Sequence, residues 1–160
     1  MDISHVVEDC LNVVGIDPGE CGFGVYDCGN VSGIHEAGVY VFFDDDAVYY
    51  VGEADDVARR LIEEHCSAHI GGSEGVARFL VNYLDEVCSR RSEWIELNPV
   101  DREEYIKGIL KGKMRELRIY IAICSGLKDE KKNGKRIKNK LRSRLEKCIR
   151  EKLKPALNPL

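Results

Sequence analysis

Residues 38–65 constrain this chain more than any other stretch. Gly38-Val39-Tyr40-Val41-Phe42-Phe43 and Ala47-Val48-Tyr49-Tyr50-Val51-Gly52 are short runs rich in β-branched and aromatic side chains, and Asp44, Asp45 and Asp46 separate them. Two such runs joined by a polar turn predict a β-hairpin. Asp55 and Asp56 then supply a helix N-cap, because a carboxylate there accepts the N–H bonds that the first helical turn leaves open. Val57, Ala58, Leu61 and Ile62 recur at helical spacing. The hairpin therefore runs straight into an amphipathic helix.

The rest of the chain is arranged around that unit. Val6, Val7, Leu11 and Val14 share a helical face within residues 1–14. Gly15 to Gly33 is rich in Gly, Asp and Cys and reads as loop or short irregular strands. After Gly71-Gly72, Ser73 can cap a helix whose apolar stripe is Val76, Ala77, Phe79, Leu80, Tyr83, Leu84, Val87 and Cys88. Trp94 to Leu97 is a candidate strand ended by Asn98-Pro99. Asp101 can cap a short helix carrying Tyr105, Ile106, Ile109 and Leu110, weakened by Gly108 and Gly112. Leu117 to Cys124 is rich in isoleucine and partly alternating, which predicts a strand completing the sheet, with a helix as its rival. Ser125 to Lys135 reads as a basic loop. A last helix from about Arg136 to Lys154 carries Ile137, Leu141, Leu145, Cys148, Ile149 and Leu153 on one stripe and stops at Pro155.

The 160 residues are one domain by length and enough to bury a core. The longest apolar runs are far short of a membrane span, and no signal-peptide pattern follows Met1. Seven cysteines are scattered, odd in number and without a Cys-x-x-Cys pair. Cys88, Cys124 and Cys148 lie in apolar stripes, where a free cysteine acts as a small hydrophobe. The expectation is a cytoplasmic protein with reduced cysteines and no membrane partner. A zinc set drawn from Cys21, Cys28, His35, Cys66 and His69 matches no ligand spacing.

Charge is unevenly distributed. Residues 1–104 carry 6 Lys and Arg against 23 Asp and Glu, whereas residues 105–160 carry 18 against 5, so a net charge of −4 hides a strongly basic end. Such asymmetry predicts a surface facing a polyanion, and a local patch is what steers nucleic acid. Lys131, Lys132, Lys135, Arg136, Lys138 and Lys140 form its densest part. The alternative is a solvated basic helix paired with the acidic half.

Gly38-Val39-Tyr40 followed by Tyr50-Val51-Gly52 resembles the two halves of the GIY-YIG nuclease signature. Arg60, eight residues after Gly52, fits the same pattern. So does the far end, where Glu146 leads an apolar stripe into Leu153-Lys154-Pro155 and Asn158. The resemblance covers residues 36–158. It implies an α/β fold with a small, mainly antiparallel three-stranded sheet flanked by helices. Residues 36–160 would be the nuclease-like domain and residues 1–35 an N-terminal embellishment.

The function it implies is a DNA endonuclease using Mg²⁺ or Mn²⁺, with branched or damaged DNA among the substrates it leaves open and a targeting protein as a further partner. Phosphodiester hydrolysis needs a deprotonated water, stabilisation of charge on phosphorus, and a bound or protonated leaving oxygen. A carboxylate-held cation and a guanidinium serve the second need. The resemblance assigns Glu146 as metal ligand, Tyr40 as general base or water-positioning group, Tyr50 in support, Arg60 on phosphate and His65 on the leaving group or phosphate. Gly52 and Asn158 are supporting residues, Gly52 for backbone geometry at the strand end. Two departures stand out. His65 follows Arg60 by five residues where the family has four, leaving Glu64 at the expected place and His69 as a substitute. Glu53 stands where many members have lysine, and could join the metal shell.

Each residue also has a simpler use. Glu146 can pair with Arg142 or Arg150, and Arg60 with Glu64, at i,i+4. The two tyrosines can pack in the sheet. The competing functions are an inactive GIY-YIG-fold module that still binds nucleic acid, and an unrelated α/β protein in which Tyr40 and Glu146 lie far apart.

Overall fold

The structure, a computed structural model, describes residues 2–158. Among these residues the main sheet has four antiparallel strands in the order β1-β4-β2-β3. The strands are β1 (Cys21–Tyr26), β2 (Gly38–Phe43), β3 (Val48–Ala54) and β4 (Arg118–Cys124). The β2–β3 hairpin and the closing strand β4 stand where the sequence puts them. The sheet has four strands rather than three, because β1 forms inside the stretch expected to be irregular. Its two glycines weaken the strand pattern, and its regularity comes from pairing with β4, from Cys21↔Cys124 to Tyr26↔Ile119.

The hairpin turn is held by Asp44, whose Oδ1 accepts from the N–H groups of Asp46 and Ala47, both at 2.9 Å. This side-chain turn explains an aspartate there better than general polarity does.

Side chains alternate across β2, so the sheet builds two cores. Val39, Val41 and Val51 face α1 (Ile3–Val14) and α7 (Lys140–Leu153), meeting Val7, Leu11, Leu145 and Ile149. Tyr40, Phe42, Ile119 and Ile121 face the other way, onto Val57, Ala58 and Leu61, Phe79, and Leu110 and Met114. These come from α2 (Val57–Arg60) and the helical segment that continues it at Leu61, α3 (Glu74–Asn82) and α6 (Pro99–Glu116). Residues 1–35 thus donate both a covering helix and a strand to the common sheet.

Several helices differ from expectation. The stripe ending at Cys88 breaks at Tyr83 into α3 and α4 (Leu84–Ser89), which leaves Leu84 and Cys88 exposed. Residues 94–97 are not a strand. Trp94 ends the short α5 (Arg91–Trp94), and Arg102 folds back to donate to the carbonyls of Ile95 and Leu97 at 2.8 and 3.1 Å. No strand lies beside this segment among the described residues, so those carbonyls bond to a side chain instead. Helix α6 is long rather than short. Asn98, not Asp101, caps it, and burial of Ile109, Leu110 and Met114 offsets the cost of Gly108 and Gly112.

The basic loop contains a small hairpin, β5 (Glu130–Lys132) and β6 (Lys135–Ile137). Asn133 and Gly134 turn it with φ of 52° and 73°, the left-handed geometry of tight hairpin loops. The hairpin displaces the start of α7 to Lys140, where Asn139 accepts from the Arg142 N–H at 3.1 Å. After Pro155 the chain runs along the outer edge of β3. Ala156 and Leu157 N–H groups donate to the Val48 and Tyr49 carbonyls, and the Asn158 amide both accepts from and donates to Val51, at 2.6 and 3.0 Å. Asn158 is therefore a clamp that pairs an open sheet edge.

Six of the seven cysteines are paired in disulfides rather than reduced. Cys10–Cys148 ties α1 to α7, Cys21–Cys124 ties β1 to β4, and Cys28–Cys66 ties the segment after β1 to the end of the helical stretch that begins with α2. Cys88 is the free one. The odd count and scattered spacing conceal pairs that only the fold brings together. Three disulfides point away from a reducing cytoplasm, against the expected location. They also take Cys21, Cys28 and Cys66 out of any zinc set. No helix among the described residues is long and apolar enough to cross a membrane.

Candidate functional site

Tyr40 lies in the middle of β2, opposite Gly52 on β3. Its ring passes over Gly52. A Cβ at that glycine would stand 2.6 Å from Tyr40 Cε2, so position 52 is glycine to make room for the ring, not for unusual backbone angles. The Tyr40 hydroxyl shares a 3.0 Å hydrogen bond with His65 Nε2. Both residues are interior, 2% and 1% exposed.

His65 reaches Tyr40 because of an irregularity in its helix. Asp56 caps α2, accepting from the Arg59 N–H at 2.8 Å, while Asp55 turns away to other partners. After Arg60 the helix widens into a π-helical segment, Leu61–His65, in which the Cys66 N–H donates to the Leu61 carbonyl at 2.7 Å. A π turn absorbs one extra residue. The five-residue step from Arg60 to His65 thus keeps His65 directed at the sheet, where it bonds Tyr40. Gly75 on α3 leaves space for the imidazole, since a Cβ there would stand 2.7 Å from His65 Cε1 and 2.8 Å from Tyr50 Cζ.

Phe42, Phe79 and the two tyrosines surround His65 with rings at centroid distances of 5.3 to 6.5 Å. Burial among them, reinforced by the Arg60 charge, lowers the imidazole pKa to about 3, and His65 is neutral at ordinary pH. Its Nδ1 has no hydrogen-bond partner among the described residues. Burial likewise pushes the Tyr40 phenol well above 10, with Tyr50 adding to the shift and Arg60 opposing it. In this state Tyr40 is a neutral hydrogen-bonding group, not a ready base.

Tyr50 is nearer the surface, half-buried at the outer strand β3. Burial raises its pKa, the nearby Glu146 carboxylate raises it further, and Arg60 acts against both. Glu146 projects from α7 towards the same edge, its side chain 17% exposed and 3.5 Å from Arg150 Nε. Burial raises its pKa as well, and the Glu53 charge adds to the rise. Arg60 donates from Nη1 to Glu64 at 3.1 Å, yet its charge acts on both phenols and on His65. The i,i+4 partners foreseen for Glu146 and Arg60 are both made. Tyr40, Tyr50 and His65 form one cluster of touching rings, and the charges of Arg60 and Glu146 are near enough to act on it.

Beside them lies an ion-pair network that the sequence did not reveal. Arg142, its side chain 4% exposed, binds Glu53 through Nε. Its Nη1 binds Asp129 and Asp55 at 2.8 and 3.3 Å and the Leu127 carbonyl at 2.9 Å. Lys138 binds Glu53 at 2.6 Å, and Arg136 binds Asp55 and Asp129. Glu53 is thus the acceptor of two cations rather than a free carboxylate. A helix stripe containing Leu145 and Ile149 also contains position 142, which was the available sign that Arg142 turns inward. Nothing in the sequence marks Asp129 or Gly75. Of the basic residues expected on nucleic acid, Lys131, Lys132, Lys135 and Lys140 are exposed on and beside the β5–β6 hairpin. Arg136 and Lys138, also exposed, have carboxylate partners.

No group of three or more His, Cys, Asp or Glu among the described residues is arranged to hold a metal ion. Mg²⁺ does not need one, because it commonly takes one or two protein carboxylates and keeps its waters. Glu146 fits that use, as a partly buried carboxylate whose pKa is raised by burial, a cost that a bound cation would offset. The chain matches no family model, no curated protein and no solved structure.

Proposed function

We propose that this protein is a GIY-YIG-type endonuclease that hydrolyses phosphodiester bonds in DNA with a divalent cation, Mg²⁺ or Mn²⁺, at Glu146. The observation that carries the reading is the Tyr40, Tyr50 and His65 ring cluster, on which the charges of Arg60 and Glu146 both act. Glu146 comes from α7, far along the chain from the hairpin and the helix that follows it, and its nearness to Tyr50 supports the reading.

The roles follow from burial and charge. Tyr50, half-buried and within the influence of both the Arg60 and Glu146 charges, is the phenol that would orient a water. Tyr40 sits behind it, tied to His65, and supports Tyr50 and the ring cluster rather than meeting substrate. Arg60 offers a guanidinium whose charge already favours an anion at this site. A cation held by Glu146 would act as a Lewis acid on a phosphate oxygen. Lys131, Lys132, Lys135 and Lys140 would follow the flanking phosphates, with Arg136 and Lys138 nearer the site. The one-residue excess between Arg60 and His65 is taken up by the π turn, so it does not speak for an inactive module.

The test is nicking of supercoiled and branched DNA with Mg²⁺ or Mn²⁺ against chelator, wild type beside Glu146→Ala. Metal-dependent cutting that the substitution lowers by at least 100-fold is expected. Equal cutting by the variant would remove Glu146 from the site. A folded wild type that shifts DNA without cutting would favour the inactive module.

A further inference from the structure

Glu53 replaces a lysine that the resemblance leads one to expect next to Gly52, and the structure shows which cation lies there instead. Lys138, at the exit of β6, places its ammonium 2.6 Å from a Glu53 carboxylate oxygen while 65% of its side chain stays exposed. Glu53 is itself anchored by Arg142, which is almost wholly buried, and by Ser143 Oγ at 3.5 Å. A flexible four-carbon side chain is thus tethered at its tip by a carboxylate that cannot easily move. Lys138 and Arg60 line one cleft of about 310 Å³ between α2 and the basic hairpin. That cleft is bordered by five cations, Arg59, Arg60, Arg136, Lys138 and Arg142, against the carboxylates of Glu53, Asp55 and Asp129. Arg59 and Arg60 also pair with Glu63 and Glu64, so Lys138 and Arg136 are the most exposed of these cations and the ones best placed to reach an anion. Lys138 is also close enough for its charge to act on Glu146.

We infer that Lys138 contacts the substrate phosphate in the cleft opposite Arg60, and that Glu53 is the positioning residue that holds Lys138 there. An ammonium keeps three donors, so one can remain on Glu53 while another reaches a phosphate oxygen. Charge stabilisation that many chains would place on β3 is here delivered from the β5–β6 hairpin. The inference rests on the nuclease reading.

The test measures single-turnover cleavage with Mg²⁺ and DNA affinity at several salt concentrations. It compares wild type with Lys138→Met, Lys138→Arg, Glu53→Gln and the double variant Glu53→Gln/Lys138→Met, and uses Arg115→Met as an exposed control away from the cleft. Lys138→Met should slow cleavage by roughly 30-fold or more, in line with loss of a charge-stabilising donor. The slope of log affinity against log salt should flatten by about one, as loss of one phosphate contact requires. Lys138→Arg should recover most of the rate. Glu53→Gln should slow cleavage with a normal salt slope, and the double variant should be no slower than Lys138→Met. Wild-type rate and slope in a folded Lys138→Met protein would overturn the inference and leave the nuclease reading intact. Independent, multiplying losses in the double variant would overturn the positioning role of Glu53. A wild type that cuts no DNA under any metal would overturn both.

Discussion

Neutral His65 makes the stability of this protein depend on pH in a window where few other groups titrate. In the unfolded chain the imidazole takes up a proton near its ordinary value of 6.5, but in the fold it does so only near 3. Between these values the unfolded state binds more protons, so acidification favours unfolding. At 1.36 kcal/mol per unit, the loss is about 2 kcal/mol by pH 5 and about 5 kcal/mol once both states are protonated. Folding lowers the carboxyl values of Asp44, Glu53, Asp56 and Asp129, and their stability is lost only as pH falls through the carboxyl range. His35, raised by its bond to Asp56, and Glu146, raised by burial, act in the opposite direction. All six stay in both proteins when wild type is compared with His65→Gln. Denaturant unfolding at pH 7.5 and pH 5.0, followed by Trp94 fluorescence, should show wild type losing about 2 kcal/mol more than the variant. Equal losses would refute a neutral, buried His65. So would a His65 ring resonance in wild type that titrates near pH 6, a measurement that does not depend on the variant folding.

Two further perturbations probe the ground on which the site stands. Gly52→Ala should destabilise by about 1–3 kcal/mol, as overpacking does, and should reduce cleavage, because the new methyl displaces the Tyr40 ring; an unchanged denaturation midpoint would be the contrary result. Alkylation of the denatured, unreduced protein should label Cys88 alone. Replacing Cys28 and Cys66 by serine should cost up to about 4 kcal/mol from loop-closure entropy over a sequence separation of 38 residues, and should loosen the Tyr40–His65 bond by freeing the end of the π turn. A double variant with wild-type melting and an unshifted His65 resonance would contradict that coupling.

The hairpin, the amphipathic start of α2, α1, strand β4 and the apolar stripe of α7 were legible because each depends on a local period and on caps within a few residues. Val39 and Val41 against Tyr40 and Phe42 already declare two faces of a sheet. Strand β1 was not legible, since Cys21-Gly-Phe-Gly has little intrinsic preference and becomes a strand by pairing with β4. The length of α6 was hidden for the same kind of reason, its glycines being overridden by burial of Ile109 and Met114.

The candidate site divides along the same line. Tyr40, Tyr50, Arg60, His65 and Glu146 could be named from order and spacing, because a short motif keeps its residue types wherever the chain goes. Burial is not a property of a motif. That Tyr40 and His65 lie inside while Tyr50 faces the edge depends on Phe42 and Phe79 closing over them. The three disulfides and the Arg142 network join residues far apart in sequence, and neither spacing nor composition encodes which thiol or carboxylate arrives beside which partner. The sequence by itself determined the local elements and the chemistry available to them. Only the tertiary structure decided which of those groups are desolvated, paired or exposed, because solvation and pairing are set by what packs against a side chain.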